Sequence, residues 1–360
     1  MWFALLLGLN VVVFSLPLVP AVREWKRRSD VEPLQIDAEH TLDVTAVASE
    51  FRAMLERRRA SGRMDDSAVD SLGLVVTVRG LWAPTPLEHA LQTCSHVIAA
   101  RGRLILRDNF VFTRAMYATQ GVTSGKENHL QAVLAEGDLF VCSGSVLHRW
   151  AHARSAHVQS RCHLQGPLSA RQQILIEEGC RFSSLMAGSI YFGAQAEDAR
   201  LGDMDTRAER LHGINGSDRT SAAADSGDAG RRIVEGDYVL PDDSYYDGDL
   251  VVHGNLRIGS GAWITGSVKA AGSMWLGPRV HVGGALVCAR ELSIATECVI
   301  VGPVIAELSI HLGSYCVIGV PSRQTSLVAP EVCISAGTTV HGAVSALDDG
   351  KVVKSSGEPA

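Results

Sequence analysis

The sequence predicts an all-β fold, a parallel β-helix (solenoid) with about 18 residues per coil, preceded by one N-terminal transmembrane helix. Three observations carry this expectation. Apolar residues recur at every sixth position over long stretches, their sizes sort at every eighteenth position, and a 21-residue stretch near the start holds no ionisable side chain. Gly 35 with only 6% aromatic residues is a turn-rich composition, suited to many short strands.

The first element is "WFALLLGLNVVVFSLPLVPAV", Trp2 to Val22, long enough to cross a bilayer as a helix. Arg23, Lys26, Arg27 and Arg28 follow it directly and no Lys or Arg precedes it, which places the N-terminus outside and the rest of the chain in the cytoplasm. A cleaved signal peptide carries its positive charge before the apolar run and a small-residue cleavage site after it, a pattern this segment lacks. The expected arrangement is a single-pass membrane protein held by residues 2–22, with the basic flank on anionic headgroups. A formal net charge of −6 gives no reason to expect nucleic acid as a partner.

Residues 23–92 read as a juxtamembrane linker, a short helix and the first strands. In "TAVASEFRAMLERRRASG" Phe51, Met54 and Leu55 share one side of a helix rich in arginine, either a surface helix or one lying on the inner leaflet. "LGLVVTVRGLW" reads as a strand.

The first β-helix block is expected at 93–194. Its principal series is Ile98, Leu104, Phe110 and Met116, then Leu134, Phe140, Val146, His152, Val158, Leu164, Ala170, Ile176 and Phe182. A companion series runs through Trp150, Ala156, Cys162, Leu168, Ile174, Cys180 and Met186. Residues 195–245 lose apolar periodicity and read as a disordered linker.

The second block, 246–345, is the clearest. Its principal series is Ile258, Ile264, Ala270, Leu276, Val282, Cys288, Ile294, Ile300, Ala306, Leu312 and Ile318. Its companions two residues earlier in each strand include Ala262, Val268, Met274, Val280, Leu286 and Leu292. Residues i and i+2 of a strand share a face, so each pair faces inward. The next position on that side, Ser260, Gly266, Gly272, Pro278, Gly284, suits a corner. Read every eighteenth residue, the slots sort: Ile258, Leu276, Ile294, Leu312 in one column, Ile264, Val282, Ile300, Ile318 in another, and the small Ala270, Cys288, Ala306 in the third. Three strands per coil produce that sorting and a helical period does not. The tail 346–360 reads as disordered.

Cys162 and Cys180 are eighteen apart, as are Cys298 and Cys316, so each pair is expected to stack in one column as reduced interior filler.

The stretch "GDLVVHGNLRIGSGAWITGSVKAAGSMWLGPRVHVGGALVCARELSIATECVIVGPVIAE" resembles the core of the bactofilins, bacterial polymer-forming cytoskeletal proteins, with its recurrent G-x-[IVL] turns. The likeness covers roughly residues 245–320, with a weaker echo in 95–192. It implies a membrane-associated scaffold whose β-helix assembles with copies of itself through its terminal coils, without nucleotide. The N-terminal span, the weaker first block and the long linker depart from that pattern.

The same hexads also fit the repeat of left-handed β-helix acyltransferases, whose general base is a histidine near a coil edge. Candidates are His253, His281 and His341, all read as solvent-facing with no carboxylate beside them. His148, His152 and His157 lie close in sequence, but the strand pattern gives them no metal signature. Asp203 and Asp205 form a DxD pair inside the expected linker. No catalytic residue, metal ligand or cofactor site is assigned, and the reading is a self-assembling scaffold rather than an enzyme.

Overall fold

Corner residues give each coil its shape. In the computed structural model, which describes residues 44–60, 75–193 and 230–354, one corner in most coils holds a residue with φ between 52° and 86°. These are Asn109, Glu127, Gly144, Arg161 and Gly179 in the first block, and Asp243, Gly261, Arg279, Glu297, Tyr315 and Gly337 in the second. A left-handed residue reverses the chain between two short strands, and its recurrence stacks into a β-solenoid of about 13 coils with about 18 residues each. Residues 2–28 and the pair Asp203 and Asp205 lie outside the described residues. Among the described residues no helix is long and apolar enough to cross a membrane.

In the second block the expected columns hold throughout. Ile258 pairs with Leu276, Leu276 with Ile294 and Ile294 with Leu312, all in parallel register, and the other two columns follow suit. Every member of the two second-block series is buried in one continuous core. Corner side chains add a second ladder. Asp237 accepts from the Asn255 N–H at 2.7 Å, and Asn255 Oδ1 accepts from the Ser273 N–H at 3.0 Å. Asp249 and Ser267 repeat the arrangement toward Ser267 N–H and Ala285 N–H. Short polar acceptors thus satisfy backbone donors where strand pairing lapses. All eight cysteines are free thiols, and Cys162, Cys180, Cys298 and Cys316 each donate to a backbone carbonyl at 3.0–3.2 Å.

The first block departs from the uniform period. Val122 pairs with Leu139 and Leu139 with Ala156, steps of 17 residues, while Leu104 to Val122 is a step of 18. A one-residue change flips every following side chain to the other face until it is undone. The expected inward positions Leu134, Phe140, Val146, Trp150 and His152 therefore face outward, and Leu130, Val133, Leu139, Leu147 and Ala151 form the core instead. Met186 is exposed for the same reason, with Leu185 inside. From Val158 through Ile176 the two phases coincide again.

Two of the outward residues are nonetheless covered. Helix α1, Val44–Ala60, lays Val44, Val47, Ala48 and Phe51 over Ala132, Leu134 and Trp150. Phe51 meets Trp150 edge-on at 6.1 Å, and Arg52 forms a two-pronged ion pair with Glu136. The apolar side of the arginine-rich helix is thus spent on the solenoid flank. A second helix, α2, Pro86–Leu91, is inserted at a corner of the first coil behind a Thr85–Glu88 capping box.

The block boundaries also shift. Strands Arg232–Val234, Tyr238–Leu240 and Tyr245–Tyr246 form a full coil within the stretch expected to be linker. Residues 346–353 of the expected tail are the end of a long strand, Thr338–Val353. That strand pairs antiparallel with Arg181–Phe192, the last strand of the first block. The blocks therefore meet through their C-terminal coils and continue as one solenoid.

Candidate functional site

The junction is where this chain joins one coil end to another. Its register runs from Arg181 opposite Lys351 to Phe192 opposite Thr338, with the Gly179 N–H donating to Val352 O at 2.8 Å and the Gly337 N–H to Phe192 O at 2.8 Å. Phe182 and Phe192 fill its interior, 5.9 Å apart. Along its rim Asp349 sits between Arg181 and Lys351, at 2.9 and 2.7 Å. Partial burial pushes the Asp349 carboxyl up, but the hydrogen bonds from Lys351 and Arg181 outweigh it and hold it below the ordinary aspartate value. His341 is fully buried here, its Nδ1 2.9 Å from Ser189 Oγ.

Because the C-terminal coils face each other, both outer ends of the solenoid are N-terminal coils. Among the described strands, Val75–Leu81 pairs only with Val97–Ile105 of the next coil, and each of the three strands of the 232–246 coil likewise pairs only with a strand one coil later. The second block's outer coil changes its interior chemistry. Arg232, Tyr238 and Tyr246 stand in the columns of Leu250, Leu256 and Ile264, and the Arg232 guanidinium lies 5.5 Å from the Tyr238 ring centre. Polar-tipped side chains shield the apolar core below them. The rim of this coil carries Glu235, Asp237, Asp242, Asp243, Asp247 and Asp249. At the other end Trp82 packs edge-on against Phe110 and Phe112 at 5.0 and 5.1 Å, while Leu81, Leu87 and Leu91 are 55%, 68% and 64% exposed. Arg79, Arg101, Arg103 and Arg107 are exposed on its first two coils.

The candidate histidines are scattered. His253 is exposed, and against expectation it has a carboxylate beside it, Glu235 at 2.9 Å. His281 is buried rather than solvent-facing and stacks on Trp263 at 3.8 Å. His341 is buried in the junction. His148 stacks on His129 at 5.3 Å, His152 is buried with Nδ1 2.7 Å from Ser169 Oγ, and His157 pairs with Glu177 at 3.1 Å, so the three do not converge. One cluster that sequence reading passed over does converge: Glu88, Cys94 and His96 beside α2. Its only local signal is a C-x-H spacing after a capped turn.

Comparison with protein-family models, with curated proteins and with solved structures finds no match to this chain.

Proposed function

We propose that this chain is a bactofilin-like structural protein that self-assembles through its outer coils, without nucleotide, tethered to the bacterial inner membrane by residues 2–22 and the flank Arg23, Lys26, Arg27 and Arg28. The observation that carries the proposal is the antiparallel junction between Arg181–Phe192 and Thr338–Val353. It is an end-to-end contact of two β-helix coils through backbone pairing, the same kind of contact a polymer of this solenoid needs. The outer coils offer strand edges for it. Six carboxylates against one arginine in residues 232–249 repel a second copy of the same coil, and the exposed arginines at the first block's end attract it. That favours the first-block end of one copy meeting the second-block end of the next.

A second reading draws on His253 and Glu235, an exposed imidazole–carboxylate pair on the outer coils, which suits general-base work in an acyltransferase.

Negative-stain electron microscopy of residues 44–360, without nucleotide, separates the readings. About 13 coils at ~4.8 Å each give ~60 Å per chain. Head-to-tail filaments then repeat at ~60 Å, and alternating ones at ~120 Å. Discrete closed particles at every concentration and salt tested refute the scaffold and turn attention to His253.

A further inference from the structure

We propose that Glu88, Cys94 and His96 form a binding site for a zinc-like divalent cation at the open end of the first block. The inference does not depend on the assembly reading. One oxygen, one sulfur and one nitrogen donor from these residues lie within 4.8 Å of one another, and Glu88 Oε1 is 3.3 Å from His96 Nδ1. Donors about 2.0–2.3 Å from a tetrahedral zinc stand about 3.3–3.7 Å apart, so small side-chain adjustments close the set around an ion.

Each donor is held in place. The other carboxylate oxygen of Glu88 accepts from the Thr85 N–H at 2.8 Å and from the Thr85 hydroxyl at 2.9 Å, which leaves Oε1 turned toward His96. Cys94 is fixed by its strand pairing opposite Phe112 and is 1% exposed. His96 lies directly before the strand Val97–Ile105, and its side chain is 28% exposed, giving an ion and its fourth ligand, water, a way in from solvent. A buried sulfur beside an imidazole selects zinc over magnesium or calcium, which take oxygen donors. Without an ion, burial pushes the Cys94 thiol up to about 12, and the neighbouring Glu88 carboxylate adds to the shift.

The position gives the ion a structural task. Helix α2 has no buried residue and turns Leu87 and Leu91 to solvent. Its contact with the coil runs through Glu88, and a shared ion would fasten the helix to the coil that ends the solenoid.

The test uses the whole chain in detergent, stripped with a chelator and dialysed against micromolar zinc, with metal content read by mass spectrometry. One zinc per chain is expected. Cobalt(II) in its place gives a thiolate charge-transfer band and intense visible bands of tetrahedral geometry. Cys94→Ser removes the charge-transfer band, and Cys288→Ser, in the interior column, keeps it. His96→Ala, at a partly exposed ring, retains the fold by circular dichroism. It loses more than the ~10–100-fold in affinity that even outer partners of a ligand contribute. Substoichiometric zinc in the wild type, a cobalt band that survives Cys94→Ser, or equal zinc binding by folded His96→Ala overturns the site.

Discussion

Gly350 is a point of the junction between the two blocks that leaves no room for added bulk. A Cβ there would stand 2.5 Å from Phe182 Cε2 and 2.6 Å from Phe182 O. Phe182 is 2% exposed and already packed against Phe192, so its ring has no room to retreat, and the carbonyl belongs to the paired strand itself. Gly350→Val therefore overpacks the contact between blocks. Overpacking of this kind costs about 1–3 kcal/mol, which raises the opening equilibrium of the junction by about 5- to 150-fold.

Amide hydrogen exchange reads that opening directly. Two bonds that cross the junction are the Gly179 N–H to Val352 O and the Gly337 N–H to Phe192 O. In Gly350→Val both exchange faster by the stated factor. The Leu286 N–H, bonded to Pro303 O in the middle of the second block, keeps its wild-type rate. Unprotected Gly179 and Gly337 amides in the wild type, or a uniform loss of protection across the second block in the variant, would refute the reasoning. The first result would mean that the blocks do not dock, and the second that Gly350 serves only its own block.

Ile300 is fully buried between Val282 and Ile318, so Ile300→Asp loses at least the ~2–5 kcal/mol of a buried large-to-small change and adds an unpaired carboxylate, whereas Val239→Asp at a 64% exposed site changes the urea midpoint little. Phe51→Ala removes the ring that meets Trp150 and costs about 0.5–1.5 kcal/mol beyond the lost area, seen as a red shift of Trp150 emission as α1 lifts from the flank; unchanged emission would contradict that packing. The Asp349 carboxyl is held below its unfolded value, so its stabilising contribution is complete above the unfolded aspartate value and is lost as pH falls through the lower folded one. Wild type should accordingly lose part of its junction stability in acid, and Asp349→Asn should lose that part at neutral pH and show a flatter profile below it; parallel profiles would remove the Arg181–Asp349–Lys351 lock from the account.

The second block was legible because nothing interrupts its arithmetic. Ile264, Val282, Ile300 and Ile318 repeat at eighteen, and each lies on the next in parallel register. The first block was legible only in part, since 17-residue coils around Leu139 reverse the phase, and the covering helix makes outward Leu134 and Trp150 look like core in composition. The outer coil at 232–249 was hidden by its own role. A terminal coil exchanges aliphatic columns for Arg232, Tyr238 and Tyr246 and fills its corners with aspartate, so it has the composition of a linker. The end of the last strand was obscured in the same way by Asp348, Asp349, Gly350 and Lys351, two of which make the ion pairs of the junction. The junction itself leaves no period to read, because it joins residues such as Arg181 and Lys351 that meet once and antiparallel.

That single meeting decides which surfaces remain for assembly. A parallel β-helix has one N-terminal and one C-terminal end, and a chain with two blocks in series would keep one of each. Here the two C-terminal coils are paired within the chain, so their contact is intramolecular and does not depend on the concentration of a second molecule. They are therefore consumed before any intermolecular contact forms. What is left is a pair of N-terminal coils that do the same backbone job with opposed chemistry: an acidic rim over a lid of Arg232, Tyr238 and Tyr246 at one end, and exposed leucines among arginines at the other. Had the two ends been alike, either could meet either, and an assembly of copies would carry no direction. Their difference gives a chain that is pseudo-symmetric in its backbone a direction in its charge, and any assembly built on these ends inherits it.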